Sequence, residues 1–209
     1  MTTPATDDDL LRQALAGDQR ALAELFLRYR ERLSKLVRLR LDRRMSGRID
    51  VSDVLQETYL DVVRRFTEFA ANPAVPFYLW VRALTGQRLI DLHRHHLGAR
   101  MRDAGREVSL YCGALPQAST VSLAQNLLAG LTSPTQAAVR AELQVKLQEA
   151  LNSMDPVDRE VVVLRHFEEL SNADAAAVLG IETAAASKRY IRAIRRLKAF
   201  LDAVPGFFH

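Results

Sequence analysis

Apolar residues recur at steps of three and four along two long stretches of this chain, and nowhere do they alternate over the length of a strand. Residues three and four apart are neighbours on a helix, so this spacing commits both stretches to helices that bury one stripe. In the first stretch, from Asp8 to about Arg102, the step is kept by Leu10, Ala14, Ala21, Leu25, Tyr29, Leu33, Leu36 and Val37, with an Ala-Gly-Asp break at Gly17. A further helix is expected to open near Ser52, its N-cap, with Leu55, Tyr59, Val62, Phe66 and Phe69 as its stripe. Asn72-Pro73 and Pro76 mark a turn, and another helix is expected from about Pro76 to His96. Its apolar pattern is mixed and Gly86 sits inside it, so it either packs on several sides or bends.

Across residues 103–134 the periodicity fades into GREVSLYCGALPQASTVSLAQNLLAGLTS, where Gly, Ser, Gln and Thr accumulate. The segment reads as a flexible linker with room for short helical turns, able to extend to about 100 Å at ~3.3 Å per residue. Ser133-Pro134 opens the second stretch, in which Ala138, Ala141, Leu143, Val145, Leu147 and Leu151 precede the break at Met154-Asp155-Pro156. The next helix is expected over Pro156–Phe167, apolar at Val157, Val161, Leu164 and Phe167. The expected architecture is all-α: two small helical domains, 1–102 and 135–209, on a flexible linker.

The second domain ends in a helix-turn-helix pattern, NADAAAVLGIETAAASKRYIRAIRRLK. Ser171 is the expected N-cap of a short helix, with Asp174 as a capping-box partner, and Gly180 supplies the left-handed residue that leaves it. Ile181 plugs the turn and Thr183 is expected to cap the last helix. On that helix Ala186, Tyr190, Ile194, Leu197 and Leu201 form the expected core stripe. Ala185, Lys188, Arg189, Arg192 and Arg196 recur on another side, and from Thr183 to Leu201 there is no acid. A duplex groove offers phosphates to such a stripe, so Ser187, Lys188, Arg189, Arg192 and Arg196 are the candidate DNA contacts. Ala184 and Ala185 carry no hydrogen-bonding groups, which leaves readout near the tip to methyl contacts, backbone groups or DNA shape. The competing reading is a basic amphipathic helix packed in an ordinary bundle.

The net charge of +4 is modest but segregated. Basic residues crowd Arg28–Arg48, Arg82–Arg106 and Lys188–Lys198; acidic ones gather at Asp50, Asp53, Glu57 and Asp61, and over Asp155–Glu160. This division suggests nucleic acid at the basic parts and a separate partner at the acidic ones. The lone Cys112 excludes an internal disulfide and argues against a zinc site built from thiolates. His93, His95 and His96 lie in a basic run, with no metal-ligand cluster, phosphate loop or catalytic constellation anywhere. No enzyme activity, metal or cofactor is therefore expected. With an acidic N-terminus and no run of about 18 apolar residues, the chain is expected to be cytoplasmic.

Two blocks in the first domain, DVSDVLQETYLDVVRRF and PFYLWVRALTGQRLIDLHRHHLGARMRD, closely resemble the second conserved region of bacterial RNA polymerase sigma factors of the small extracytoplasmic-function type. LNSMDPVDREVVVLRHFEELSNADAAAVLGI is similar to the start of their fourth region. The resemblance covers most of residues 10 to 100 and 135 to 201. It implies that residues 1–102 bind core polymerase and the −10 promoter element, and that 135–209 bind the −35 element. It implies that the helix holding Asp53, Gln56, Glu57 and Asp61 docks on the coiled coil of the polymerase's largest catalytic subunit; those four share a polar face opposite Leu55, Tyr59, Val62 and Phe66.

It also implies that the helix like Pro76–His96 assists melting at the −10 element, where a parted strand needs cations for phosphate and groups that hold a base. Arg82, Arg88, Arg94 and Arg100 supply charge, while Gln87, Asp91 and Arg94 share a face able to meet base edges. Gln87 stands where the family usually has Asn. Trp80 and Phe77 are either stacking groups or core, and their spacing among Val81 and Leu84 favours core. Implied partners are RNA polymerase core and promoter DNA; members are commonly held by an anti-sigma protein. The alternatives are a stand-alone helix-turn-helix repressor or activator, with residues 1–102 as a sensory or dimerising domain, and an all-helical protein-binding adaptor.

Overall fold

The computed structural model of the chain describes residues 5–42, 45, 47–97, 118–129 and 137–202. All regular structure among them is helical, and their contacts divide the chain into two units. The first comprises Met1–Val37 and Arg43–Leu115, the second Arg38–Asp42 and Pro116–His209. Among the described residues no helix is long and apolar enough to cross a membrane. Arg100, the Ser133-Pro134 opening and the tail from Pro205 to His209 lie outside the described residues.

The first unit is built from α1 (Asp7–Leu15), α2 (Gln19–Arg40, up to Val37), α3 (Val51–Ala71) and α4 (Phe77–Leu97). Thr6 and Asp9 close a capping box over α1, and three aspartates in its first turn meet the positive end of the helix dipole. Gly17, at φ +98°, ends that helix in a conformation a side chain would strain, and the Asp18 carboxylate then accepts from the amides of Arg20 and Ala21 to start α2. Asp50, not Ser52, caps α3: its side chain accepts from the Ser52 amide at 2.9 Å, which makes Ser52 a residue of the first turn.

The expected stripes of α2 and α3 are buried at Leu25, Leu33, Leu36, Val37, Leu55, Val62 and Phe69. α4 is buried almost all round, from Phe77 through Arg82 and at Leu84, Thr85, Leu89 and His93, which is why its apolar pattern is mixed. Trp80 stacks on Phe69 at 4.6 Å and 24° inside a cluster with Phe66 and Phe77, so both disputed aromatics are core.

The second unit holds α5 (Thr120–Ala129), α6 (Ala137–Asn152), α7 (Pro156–Val162), a π turn (Val163–Phe167), α8 (Asn172–Leu179) and α9 (Thr183–Asp202). Residues 103–134 are therefore not linker throughout. Leu123, Ala124 and Leu128 of α5 pack with Leu143, Leu147 and Leu151 of α6 in the unit's core. The helix expected over Pro156–Phe167 also changes form, with the Glu168 amide donating five residues back to the Val163 carbonyl. One extra residue in a turn rotates the chain beyond it by about 100°. Next come Glu168, fully buried, and Glu169 in the left-handed region at φ 55°. The Glu168 carboxylate accepts from Arg40 at 2.7 Å, and Glu160 pairs with the same guanidinium. Burial opposes the Arg40 charge, yet the two carboxylates outweigh it and raise its pKa. Arg40 is thus no part of a solvated basic run.

In the helix-turn-helix the Ser171 hydroxyl accepts from the Asp174 amide, Gly180 is left-handed at φ 63°, and the Ile181 amide donates to the Ala176 carbonyl. Thr183 is the first helical residue of α9 rather than its cap, and its carbonyl accepts from the Asn172 side chain. The core register of α9 is Ala186, Ala193 and Leu197, with Tyr190 half-buried; Ile194 is exposed, contrary to expectation. A step of three or of four from Tyr190 is equally helical, and the short alanine occupies the buried position while the bulkier isoleucine is left outside.

Candidate functional site

Three surfaces gather the candidate residues, two in the first unit and one in the second. On α3 of the first unit, Asp53, Gln56 and Glu57 are exposed, while Asp61 is half-buried against Arg88 of α4. Arg88 also lies 3.7 Å from Glu57, so a residue expected on DNA sits among the carboxylates expected on the polymerase. Beside this face α2 and α3 leave an open groove of about 510 Å³ whose walls include Phe26, Leu27, Leu55, Gln56, Tyr59 and Leu60. Leu27 and Leu60, 62% and 44% exposed, expose apolar surface here, and Phe26 and Tyr59 stand 5.0 Å apart at ring centres. Neither leucine belongs to a buried stripe. As apolar side chains off the stripe they were visible in the sequence, but that they line one groove follows only from how α2 and α3 are placed.

On α4 the exposed residues are Gln87, Asp91, Arg94, His95 and His96. The Gln87 amide donates to the Asp91 carboxylate at 3.1 Å, and Arg94 lies 3.9 Å from it, so the three form one polar line along the helix. Arg82 is corrected: it is 3% exposed, enclosed with Val81, Leu84 and Thr85, and presents no guanidinium to a strand. Arg28, at the start of the first basic run, pairs with Asp7 at 2.9 Å and Glu24 at 3.0 Å. The Tyr29 hydroxyl donates to Asp7, and this bond, against partial burial and with help from Arg28, lowers the Asp7 pKa.

In the second unit, Ser187 is half-exposed and Lys188 exposed near the start of α9. Arg189 and Arg192 converge on Asp158 of α7. The Arg192 Nε donates to Asp158 Oδ2 and its Nη2 to Oδ1 at 2.6 Å, while Arg189 Nη1 donates to the same Oδ1 at 2.6 Å and to Asp155 at 3.3 Å. Arg196 reaches Ser153 Oγ at 3.4 Å. The carboxylates of the run Asp155–Glu160 are thus engaged inside the unit. Asp155 caps α7, and Asp158 and Glu160 hold arginines. Sequence reasoning missed Asp158 as a partner of α9 because the pair lies 34 residues apart.

The Arg192 hydrogen bonds, opposed by desolvation and aided by Arg189, hold the Asp158 pKa below its ordinary 3.8. A depressed carboxylate contributes stability that is complete above the unfolded pKa and is lost as pH falls through the folded one. The stability advantage of the wild-type chain over Asp158→Asn, read from urea unfolding, is expected to be constant from neutral pH to about 5 and to shrink below 3.8. An advantage that grows on acidification contradicts the assignment.

Among the described residues no group of His, Cys, Asp or Glu is placed to hold a metal ion. The described residues offer three surfaces: an acidic and apolar face on α2 and α3, a polar line on α4, and cationic α9 behind a short turn.

Residues 144–197 match the family described as Sigma-70, region 4. Over 206 residues the chain is 30% identical to RNA polymerase sigma factor CnrH of Cupriavidus metallidurans, which spans 97% of this chain and 98% of that one. It is 25% identical over 191 residues to ECF RNA polymerase sigma factor SigD of Mycobacterium tuberculosis, covering 91% and 82% of the two chains. The solved structure of CnrH in complex with the cytosolic domain of CnrY aligns with a TM-score of 0.54 at 27% identity, over 94% of this chain and 97% of that one.

Proposed function

The chain belongs to the RNA polymerase sigma factors of the extracytoplasmic-function group, and from that membership we propose how its surfaces divide the work of promoter recognition and melting. As a sigma factor it binds core RNA polymerase and directs it to promoters; relatives match it along nearly its whole length, front half included, which a stand-alone repressor or activator leaves unexplained. Residues 1–102 contact core and the −10 element, and 135–209 the −35 element. Nucleotidyl transfer is left to the polymerase, and the chain acts in the cytoplasm.

Core docks on the face of Asp53, Gln56, Glu57 and Asp61. The observation that carries this is the apolar groove along that edge: Leu27, Tyr59 and Leu60 offer desolvation, and the adjacent carboxylates offer attraction to a basic, protruding helical partner. An anti-sigma protein competes for the first unit in the same way; the related CnrH was solved with the cytosolic domain of CnrY. Gln87, Asp91 and Arg94 meet the parted −10 strand, with Arg88 holding α4 to the docking face. Ser187, Lys188, Arg189, Arg192 and Arg196 face the −35 duplex.

Fragments selected with reconstituted holoenzyme supply the promoter for the test. On it, Gln87→Ala is expected to lower permanganate reactivity of unpaired thymines roughly tenfold, since one base-edge contact is worth about 1–3 kcal/mol, while protection at the −35 element persists. Unaltered reactivity removes Gln87 from the melted strand.

A further inference from the structure

α9 carries six basic residues, and the structure does not leave them equally available. Lys198 pairs with Asp202 at 2.8 Å, and Arg189 and Arg192 share Asp158. Lys188, Arg195 and Arg196 have no ion pair among the described residues. The shared carboxylate is unusual in its setting. The Asp158 side chain is 8% exposed, whereas that of Arg192 is 61% exposed. Buried acid thus grips the inner edge of a guanidinium whose outer edge faces solvent. Asp155 steadies the grip from α7, accepting from the amides of Val157 at 2.8 Å and Asp158 at 3.4 Å and from Arg189.

We propose that Asp158 is a positioning residue for promoter recognition: by clasping Arg189 and Arg192 on one carboxylate it fixes where their outward N–H groups point and reduces the pull of α9 on duplex of any sequence. This rests on the reading that α9 meets the −35 duplex. A guanidinium bound bidentate cannot rotate freely, so its outward donors are set before DNA arrives and the cost of ordering them at the contact is already met. The same carboxylate cancels one positive charge within reach of the phosphates. Non-specific affinity comes almost wholly from such charges. The clasp therefore trades indiscriminate attraction for geometry.

The test uses the full-length chain, a short random-sequence duplex, and a duplex carrying the −35 element recovered by holoenzyme selection, with fluorescence anisotropy over a salt series. For Asp158→Asn, affinity for the random duplex is expected to rise several-fold at about 0.1 M salt, with the log–log salt slope steeper by about 0.9. The promoter-to-random ratio is expected to fall roughly tenfold. Arg192→Lys keeps the charge but not the fork, so it is expected to keep the wild-type slope and lose the ratio; it leaves Asp158 in place and decides the matter if Asp158→Asn does not fold.

An unchanged slope with both duplexes weakened equally in Asp158→Asn, or a wild-type ratio in Arg192→Lys, overturns the proposal. Arg192→Gln separates the two levels. If it changes neither affinity nor slope, Arg192 is not on the DNA, and its place in the −35 reading falls together with the clasp. If it weakens both duplexes while Asp158→Asn behaves as wild type, only the clasp is wrong.

Discussion

Arg40→Ala is expected to destabilise the second unit by about 3–5 kcal/mol, because it removes a buried guanidinium with which two carboxylates pair. Glu168 is fully buried and Glu160 is 21% exposed at its side chain, so neither can simply rehydrate in place. Whole domains are stable by about 5–15 kcal/mol, and a loss of this size brings the unit close to unfolding at growth temperature. Urea unfolding followed by circular dichroism measures it. Replacing all three ionic residues by apolar ones of similar volume is expected to recover most of the loss, since the cost lies in buried charge left without its guanidinium and not in the missing pair itself. A single variant as stable as wild type contradicts the buried triad.

Glu57→Lys is expected to weaken binding to core polymerase at least about tenfold while leaving the unfolding midpoint in place, because a like-charge contact at an interface costs several kcal/mol. Its carboxylate is exposed, its 3.7 Å approach to Arg88 is loose, and the buried side of α3 is formed by Val54, Leu55, Thr58 and Val62. Glu68→Lys, farther along α3 and paired only loosely with Arg65 at 3.5 Å, serves as the control and is expected to bind core as wild type does. Equal affinities for Glu57→Lys and wild type would take the docking face off α3.

Helices were legible in the sequence wherever one stripe is buried and the rest is wet. That holds for α2 and α3, for the Ser171 cap, and for Gly180, whose left-handed backbone only glycine adopts without strain. Legibility failed where an element is buried on several sides or where a charge finds its partner far along the chain. Arg82 looked like one of a basic run, yet α4 is enclosed around it. Arg40 and Glu168 lie 128 residues apart, and no local pattern joins them. α5 was hidden because its Thr, Ser, Gln and Asn, set among Leu and Ala, resemble a linker until Leu123 and Leu128 meet α6. The candidate surfaces were half legible for the same reason: residue types and helix faces follow from spacing, whereas the groove of Leu27 and Leu60 and the clasp at Asp158 are products of packing.

Run-off transcription by purified bacterial core polymerase, with and without the full-length chain, on the fragment selected by holoenzyme tests the account most directly. A discrete transcript from one start site that depends on the chain and vanishes when the −10 sequence is scrambled is the predicted result. Core that neither binds the chain at low ionic strength nor initiates from any selected fragment would contradict it.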